Sequence, residues 1–146
     1  MTGKLFEKAV AIMTRLKAVS SVVLDTHTLL WWASSQDSIS SNARRAIDSA
    51  QSLLVSTTSL WEIALLVEKK RLSLSISTDA WVDACINMSR IEVVPIDVDI
   101  AVLAPKLVMH RDPADRFIVA TAVRYSAAIV TKDRQIRDLA SIPTIW

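Results

Sequence analysis

The sequence predicts an α/β fold, a three-layer α/β/α sandwich around a central, mostly parallel sheet. Two observations carry that expectation. Short β-branched runs alternate along the chain with helical patterns, and those runs are too uniformly apolar to leave one face in water, so the sheet is covered on both sides. At 146 residues, 51% of them hydrophobic, the chain has the length of about one domain with a core of its own.

Residues 1–20 form an N-terminal extension. Within it, KLFEKAVAIMTRLK (4–17) places Leu5, Phe6, Ala9, Val10, Ile12, Met13 and Leu16 on a helical stripe with basic residues opposite. The domain proper spans 21–146. SVVLD (21–25) is the first strand; Thr28–Trp32 and Asn42–Ala50 are helices around a polar loop. SLLVST (52–57) is the second strand, followed by a helix from about Ser59 to Lys70. Residues 75–90 are helical with Ser77 or Thr78 as N-cap, and IEVVPID (91–97) is the third strand. VDIAVLAPKL (98–107) is a helix interrupted near Pro105. A long helix opens at Asp112, AAIVTKD (127–133) is the fourth strand, and IPTIW (142–146) a short fifth.

Composition excludes several function classes. A single glycine, Gly3, removes every phosphate-cradling glycine loop and the nucleophile elbow. A single cysteine, Cys85, excludes an internal disulfide and a multi-cysteine zinc site, and points to a reducing, cytoplasmic compartment. No apolar run approaches the roughly 20 residues of a membrane span, and AVAIM is too short and too closely flanked by charge for a signal peptide. The net charge is +2, yet Lys4, Lys8, Arg15 and Lys17 against Glu7 leave +3 in residues 1–20 and therefore −1 in the domain. Affinity for nucleic acid must come from local basic clusters.

The acidic residues fall in a pattern. Ligands of open α/β sheets bind beyond the carboxyl ends of the strands. Asp25 ends the first strand, Glu62 is expected in the first turn of the helix after the second, Asp112 and Asp115 open the long helix, and Asp133 follows the fourth strand. Each has a plain structural explanation. Asp25 is a turn residue, Ser59-x-x-Glu62 a capping box, Asp112-Pro113-x-Asp115 a helix start, and Asp133 an N-cap. Independent caps need not share one rim, however. Carboxylates brought together repel and raise one another's pKa unless a cation neutralises them, and oxygen-only ligands suit Mg²⁺ or Mn²⁺. Such ions activate water and stabilise displacement at phosphorus, so the residues point to a metal-dependent nuclease. Arg111 and Arg116, beside the acidic rim, are candidates to grip phosphate, with salt bridges to Asp112 or Asp115 as the competing role. His27 and His110 match no zinc spacing and are bases, ligands or wall residues. Trp31, Trp32, Trp61 and Trp81 lie at helical spacing and are expected in the core.

Four motifs, VLDTHTLLWW (23–32), STTSLWEIALLVEKKRL (56–72), HRDPADRFIVATA (110–122) and IVTKDRQI (129–136), occur in an order and spacing that resemble the PIN-domain family, in particular the VapC-like toxins of type II toxin–antitoxin pairs. The resemblance implies a Mg²⁺- or Mn²⁺-dependent endoribonuclease, a homodimer, and a cognate VapB-like antitoxin that inserts a peptide into the groove. It implies Asp25, Glu62, Asp115 and Asp133 as the acidic quartet, with Asp25 and Asp115 as metal ligands. Asp112 then acts from outside the ligand set or through its cap, and Thr131 is a water-positioning hydroxyl. The chain departs from the family in Lys69-Lys70-Arg71-Leu72, which lacks the usual glycine, and in its N-terminal extension. A phosphatase of the haloacid-dehalogenase type would need an aspartate where His27 stands. The remaining alternative is a catalytically inactive PIN-like module that binds partners.

Overall fold

The computed structural model describes residues 3–9, 21–139 and 142–146. Residues 3–9 are helical and exposed; the rest of the helix expected over 4–17 lies outside the described residues.

The domain begins with β1 (Ser21–Leu24), α1 (Thr26–Ser34), a 3₁₀ turn (Gln36–Ser38) and α2 (Ser41–Ser49). It continues through β2 (Ser52–Ser56), α3 (Thr57–Glu68), α4 (Thr78–Ile86) and β3 (Ile91–Val94). Then come α5 (Val98–Leu103), a 3₁₀ turn (Ala104–Lys106), α6 (Pro113–Tyr125), β4 (Ala128–Val130), α7 (Arg134–Arg137) and β5 (Thr144–Ile145). Every expected element is present, with shorter strands. β3 stops at Val94 because Pro95 has no N–H to donate to a ladder. Ser77 is the N-cap of α4, accepting from the Ala80 N–H.

All five strands are parallel, in the order β3-β2-β1-β4-β5. Alternation along them divides the core in two. Val22, Leu24, Leu53, Val55 and Val130 face one layer, which holds Leu29, Ile47, Ile63 and Cys85. Val23, Leu54, Val94 and Ile129 face the other, which holds Ile100, Ile118, Val119 and Ile136. Strands that are buried on both faces explain their near-continuous apolar sequence.

The turn after α3 is made without a glycine. Lys70 takes a left-handed conformation, φ 57°, and the Arg71 and Leu72 N–H groups both return to the Leu66 carbonyl. A lysine there costs on the order of 1 kcal/mol of backbone strain.

Because every strand runs the same way, the segments following β1, β2 and β4 all start at one edge of the sheet. The start of α6 reaches that edge by packing against α3.

Candidate functional site

Asp25, Glu62, Asp112, Asp115 and Asp133 line one cavity of about 430 Å³, together with Thr26, His27, Trp31, Lys132 and Gln135. The five carboxylates expected at the rim are therefore all at a single opening.

Asp25 stands one residue beyond β1 and is the N-cap of α1. One carboxylate oxygen accepts the Thr26 N–H at 2.7 Å and the other accepts the Thr131 hydroxyl at 2.7 Å. The residue is 7% exposed, and loss of water pushes its carboxyl above the ordinary carboxylate range. The two hydrogen bonds and the charge of His27 oppose that rise, and Asp133 adds to it.

Glu62 is not part of a capping box. The N-cap of α3 is Ser56, whose hydroxyl accepts the Thr58 N–H, so the helix starts three residues earlier than the capping box requires and Glu62 lies in its second turn. Ser59 is fully buried, and the Thr26 hydroxyl lies 3.0 Å from the Ser59 hydroxyl and 2.6 Å from Glu62 Oε1. Thr26 thus ties α1 to α3. The Glu62 carboxyl is raised by burial first, then by Asp115, Asp25 and Asp112, against the Thr26 bond.

Asp112 caps α6, its Oδ1 accepting the N–H groups of Ala114 and Asp115, with Pro113 as the first helical residue. Asp115 points back across the turn, where its Oδ2 meets His110 Nε2 at 2.6 Å. Burial raises its carboxyl, His110 opposes the rise, and Asp112, Asp25 and Asp133 reinforce it. Asp133 caps α7 by accepting the Gln135 N–H.

Several residues hold places other than those expected. Thr131 is fully buried, donates to Asp25 and accepts from the Asp133 N–H at 3.0 Å; it positions the Asp25 carboxylate and the Asp133 backbone and has no proton left for a water. Arg116 does not reach the cavity. Its guanidinium donates to the carbonyls of Ala104, Leu107 and Met109 at 2.9–3.0 Å, along the irregular chain between α5 and α6. Arg111 is exposed and is not part of the cavity lining. The cationic side chain that does line the cavity is Lys132, with Nζ 5.9 Å from the Trp31 ring centre. It sits between two expected rim residues, Thr131 and Asp133, so the strand-end argument that singled them out applies equally to it. Thr26 and Gln135 carry no comparable signal. Of the tryptophans, Trp31, Trp32 and Trp81 pack partly buried against the core, whereas Trp61 is 59% exposed on the outer side of α3.

The donor set fits a hard divalent cation in kind: it is oxygen-only, and three of its carboxyls are raised first by burial and then by their acidic neighbours. Among the described residues no three His, Cys, Asp or Glu side chains close into a cage. Carboxylate oxygens of this kind suit a hard ion such as Mg²⁺, which is usually held through one or two carboxylates and otherwise by water.

Residues 22–142 match the model of the PIN domain. The chain is 35% identical over 121 residues to ribonuclease VapC22 of Mycobacterium tuberculosis, a match covering 82% of this chain and 92% of that protein. The fold resembles the crystal structure of VapBC2 from Rickettsia felis bound to a DNA fragment from the promoter, with TM-score 0.64, 14% identity, and 85% of this chain and 96% of that one covered. DNA-bound VapBC from Salmonella typhimurium gives TM-score 0.60 at 19% identity, over 85% of this chain and 96% of that one. Motif order, a parallel five-stranded sheet, acidic side chains gathered at its carboxyl edge, and these matches agree: the chain belongs to the PIN-domain family, with a VapC-like sequence.

Proposed function

We propose that the protein is a Mg²⁺- or Mn²⁺-dependent endoribonuclease that hydrolyses RNA phosphodiester bonds as the toxin of a type II toxin–antitoxin pair. The observation that carries the reading is the meeting of carboxylates from four separate segments around one cavity. The relative with 35% identity is a ribonuclease, and the structural neighbours are toxin–antitoxin complexes.

Asp25 and Asp115 are the residues that would hold the cation. When bound, it would supply charge neutralisation among the carboxylates and polarise the phosphodiester. The chain's own groups do the positioning. Thr131 and the Thr26 N–H fix both oxygens of Asp25, His110 fixes Asp115, and the Thr26 hydroxyl fixes Glu62. Glu62 and Asp133 orient the attacking water, and Glu62, whose carboxyl burial raises, receives its proton.

The partners follow from the surface. Beside the carboxylates, an apolar cavity lined by Thr57, Trp61, Ile96, Pro113 and Phe117 offers a seat for apolar side chains of a VapB-like antitoxin. Thr58 contributes to its wall a buried hydroxyl with no partner. Val98 and Val102 on α5 are 78% and 52% exposed, and Val123 and Tyr125 on the adjoining α6 extend the face, which supports a homodimer. Among the described residues no helix is long and apolar enough to cross a membrane, and the free, buried Cys85 accords with a cytoplasmic setting.

The test is cleavage of RNA by purified protein with Mg²⁺ or Mn²⁺. Asp25→Asn and Asp115→Asn should abolish cleavage while leaving the protein folded; undiminished cleavage by both variants overturns the assignment. Capture from the native host should recover a small DNA-binding protein encoded next door.

A further inference from the structure

Among the described residues the carboxylate cavity is lined by one lysine, Lys132, and one histidine, His27, against five acidic side chains, so it cannot by itself hold a polyanion. A second cavity, about 410 Å³, is lined by Arg134, Arg137, Asp138, Thr144 and Trp146. The two adjoin through aromatic contact: Trp31 belongs to the wall of the first, Trp146 to that of the second, and their rings lie 5.6 Å apart at 54°. Lys132 lies over the Trp31 ring, at the junction. Arg134 and Arg137 are exposed, and among the described residues neither side chain makes a hydrogen bond or an ion pair.

We propose that the groove between α7 and β5 is a binding site for the RNA backbone, in which Arg134 and Arg137 contact phosphates of the strand flanking the scissile bond and Lys132 and the Trp31–Trp146 pair carry that strand out of the carboxylate cavity. The inference rests on the ribonuclease reading and deepens it. Single-stranded nucleic acid is held by a cationic groove that follows the phosphates, combined with aromatic faces on which bases stack. Both components are present here, adjoining the acidic cavity, and neither guanidinium is engaged by the protein. Guanidinium groups suit phosphate oxygens because they donate two parallel hydrogen bonds. Asp138 is the one carboxylate lining the groove, and it opposes the ligand.

The test uses a fluorescently labelled, single-stranded 2′-O-methyl RNA of mixed sequence, whose anisotropy gives Kd across a series of salt concentrations without divalent ions. The slope of log K against log salt for single strands changes by about 0.7 for each phosphate that the protein neutralises. Arg134→Gln/Arg137→Gln, which frees two phosphates, should therefore flatten the slope by about 1.4 and weaken binding. Lys69→Gln/Arg71→Gln, with the same change of net charge at the far end of α3, should leave the slope unchanged. Asp138→Asn should bind more tightly than the unaltered protein. Equal slopes for the two double variants overturn the proposal. So does an Arg134/Arg137 variant that binds RNA normally but no longer binds its antitoxin, which would make the groove a protein-docking surface. Absence of RNA cleavage by the unaltered protein, with the slope change intact, would defeat the nuclease reading and leave the binding groove standing.

Discussion

Replacing Thr131 by valine tests whether the carboxylates are held in place or merely gathered. The two side chains have nearly the same shape, and position 131 is fully buried, so the substitution removes the hydroxyl with little change in packing. It deletes the 2.7 Å bond to Asp25 and the 3.0 Å bond from the Asp133 N–H. A hydrogen bond to a charged group is worth about 1.5–3 kcal/mol, and the lost orientation should reduce cleavage by about tenfold to a hundredfold. The pH dependence has a definite sign. The Thr131 bond opposes the rise that burial imposes on Asp25. Without it the Asp25 carboxyl moves further up, so the acid limb of the rate profile shifts to higher pH and part of the loss is recovered by raising pH or metal concentration. Thr131→Ser keeps the hydroxyl and should restore the profile. Initial rates of RNA cleavage between acid and neutral pH, with a thermal melt of each variant, decide the matter. A Thr131→Val enzyme that is folded, fully active and unshifted in pH would refute the argument that this hydroxyl positions Asp25.

Arg116→Met should lower the melting temperature, since three hydrogen bonds to carbonyls of the α5–α6 connection are lost, at a cost of about 2–4 kcal/mol. Because the strap anchors the chain just before His110, activity should fall too, while the salt dependence of RNA binding stays as it was. Mn²⁺ at about a hundred times its Kd should stabilise the protein by about 2.7 kcal/mol, a rise in melting temperature on the order of 10 °C. Asp25→Asn and Asp115→Asn should abolish that rise in a differential scanning experiment, and an undiminished rise in both would place the ion elsewhere.

The acidic quartet was legible because each member occupies a position that topology alone brings to one edge: just past β1, just past β4, or near the start of a helix that packs there. The arginines were not legible. Arg111 and Arg116 adjoin the same aspartates in sequence, but the direction of a long side chain is set by the acceptors within its reach, and the carbonyls of Ala104, Leu107 and Met109 are brought together in front of Arg116 only by the tertiary course of the α5–α6 connection. Glu62 reaches the rim, as its place after β2 implies, but from the second turn of α3, and the capping box that competed as its explanation does not form. Ser59-x-x-Glu62 has the form of a capping box, yet Ser56 supplies the cap and Ser59 is committed to Thr26, a partner 33 residues distant that no local pattern encodes. Trp61 was expected inside because aromatic residues at helical spacing usually are; the inward side of α3 is instead filled by Ile63.

Asp25, Asp112 and Asp133 are N-caps, and each would have a reason to be acidic in a protein without chemistry. Asp115 stands in the first turn of α6 against His110, and Glu62 in the second turn of α3. They cap nothing, they are half-buried, and both carboxyls are raised chiefly by desolvation. A group whose folded pKa lies above its unfolded value binds protons more tightly in the folded state, so the folded state loses stability as pH rises from the unfolded value through the folded one. In protein stripped of divalent ions, Asp115→Asn and Glu62→Gln should therefore raise the melting temperature near neutrality and flatten its decline with pH. Asp112→Ala, which removes a cap, should lower it by about 1 kcal/mol, a few degrees. Melts across pH in a chelating buffer separate the two classes. If Asp115→Asn and Glu62→Gln destabilise the stripped protein as a lost cap does, those carboxylates are structural. The opposite sign means that the fold tolerates their charge at a loss of stability, which is the expected condition of groups kept for a cation and a water.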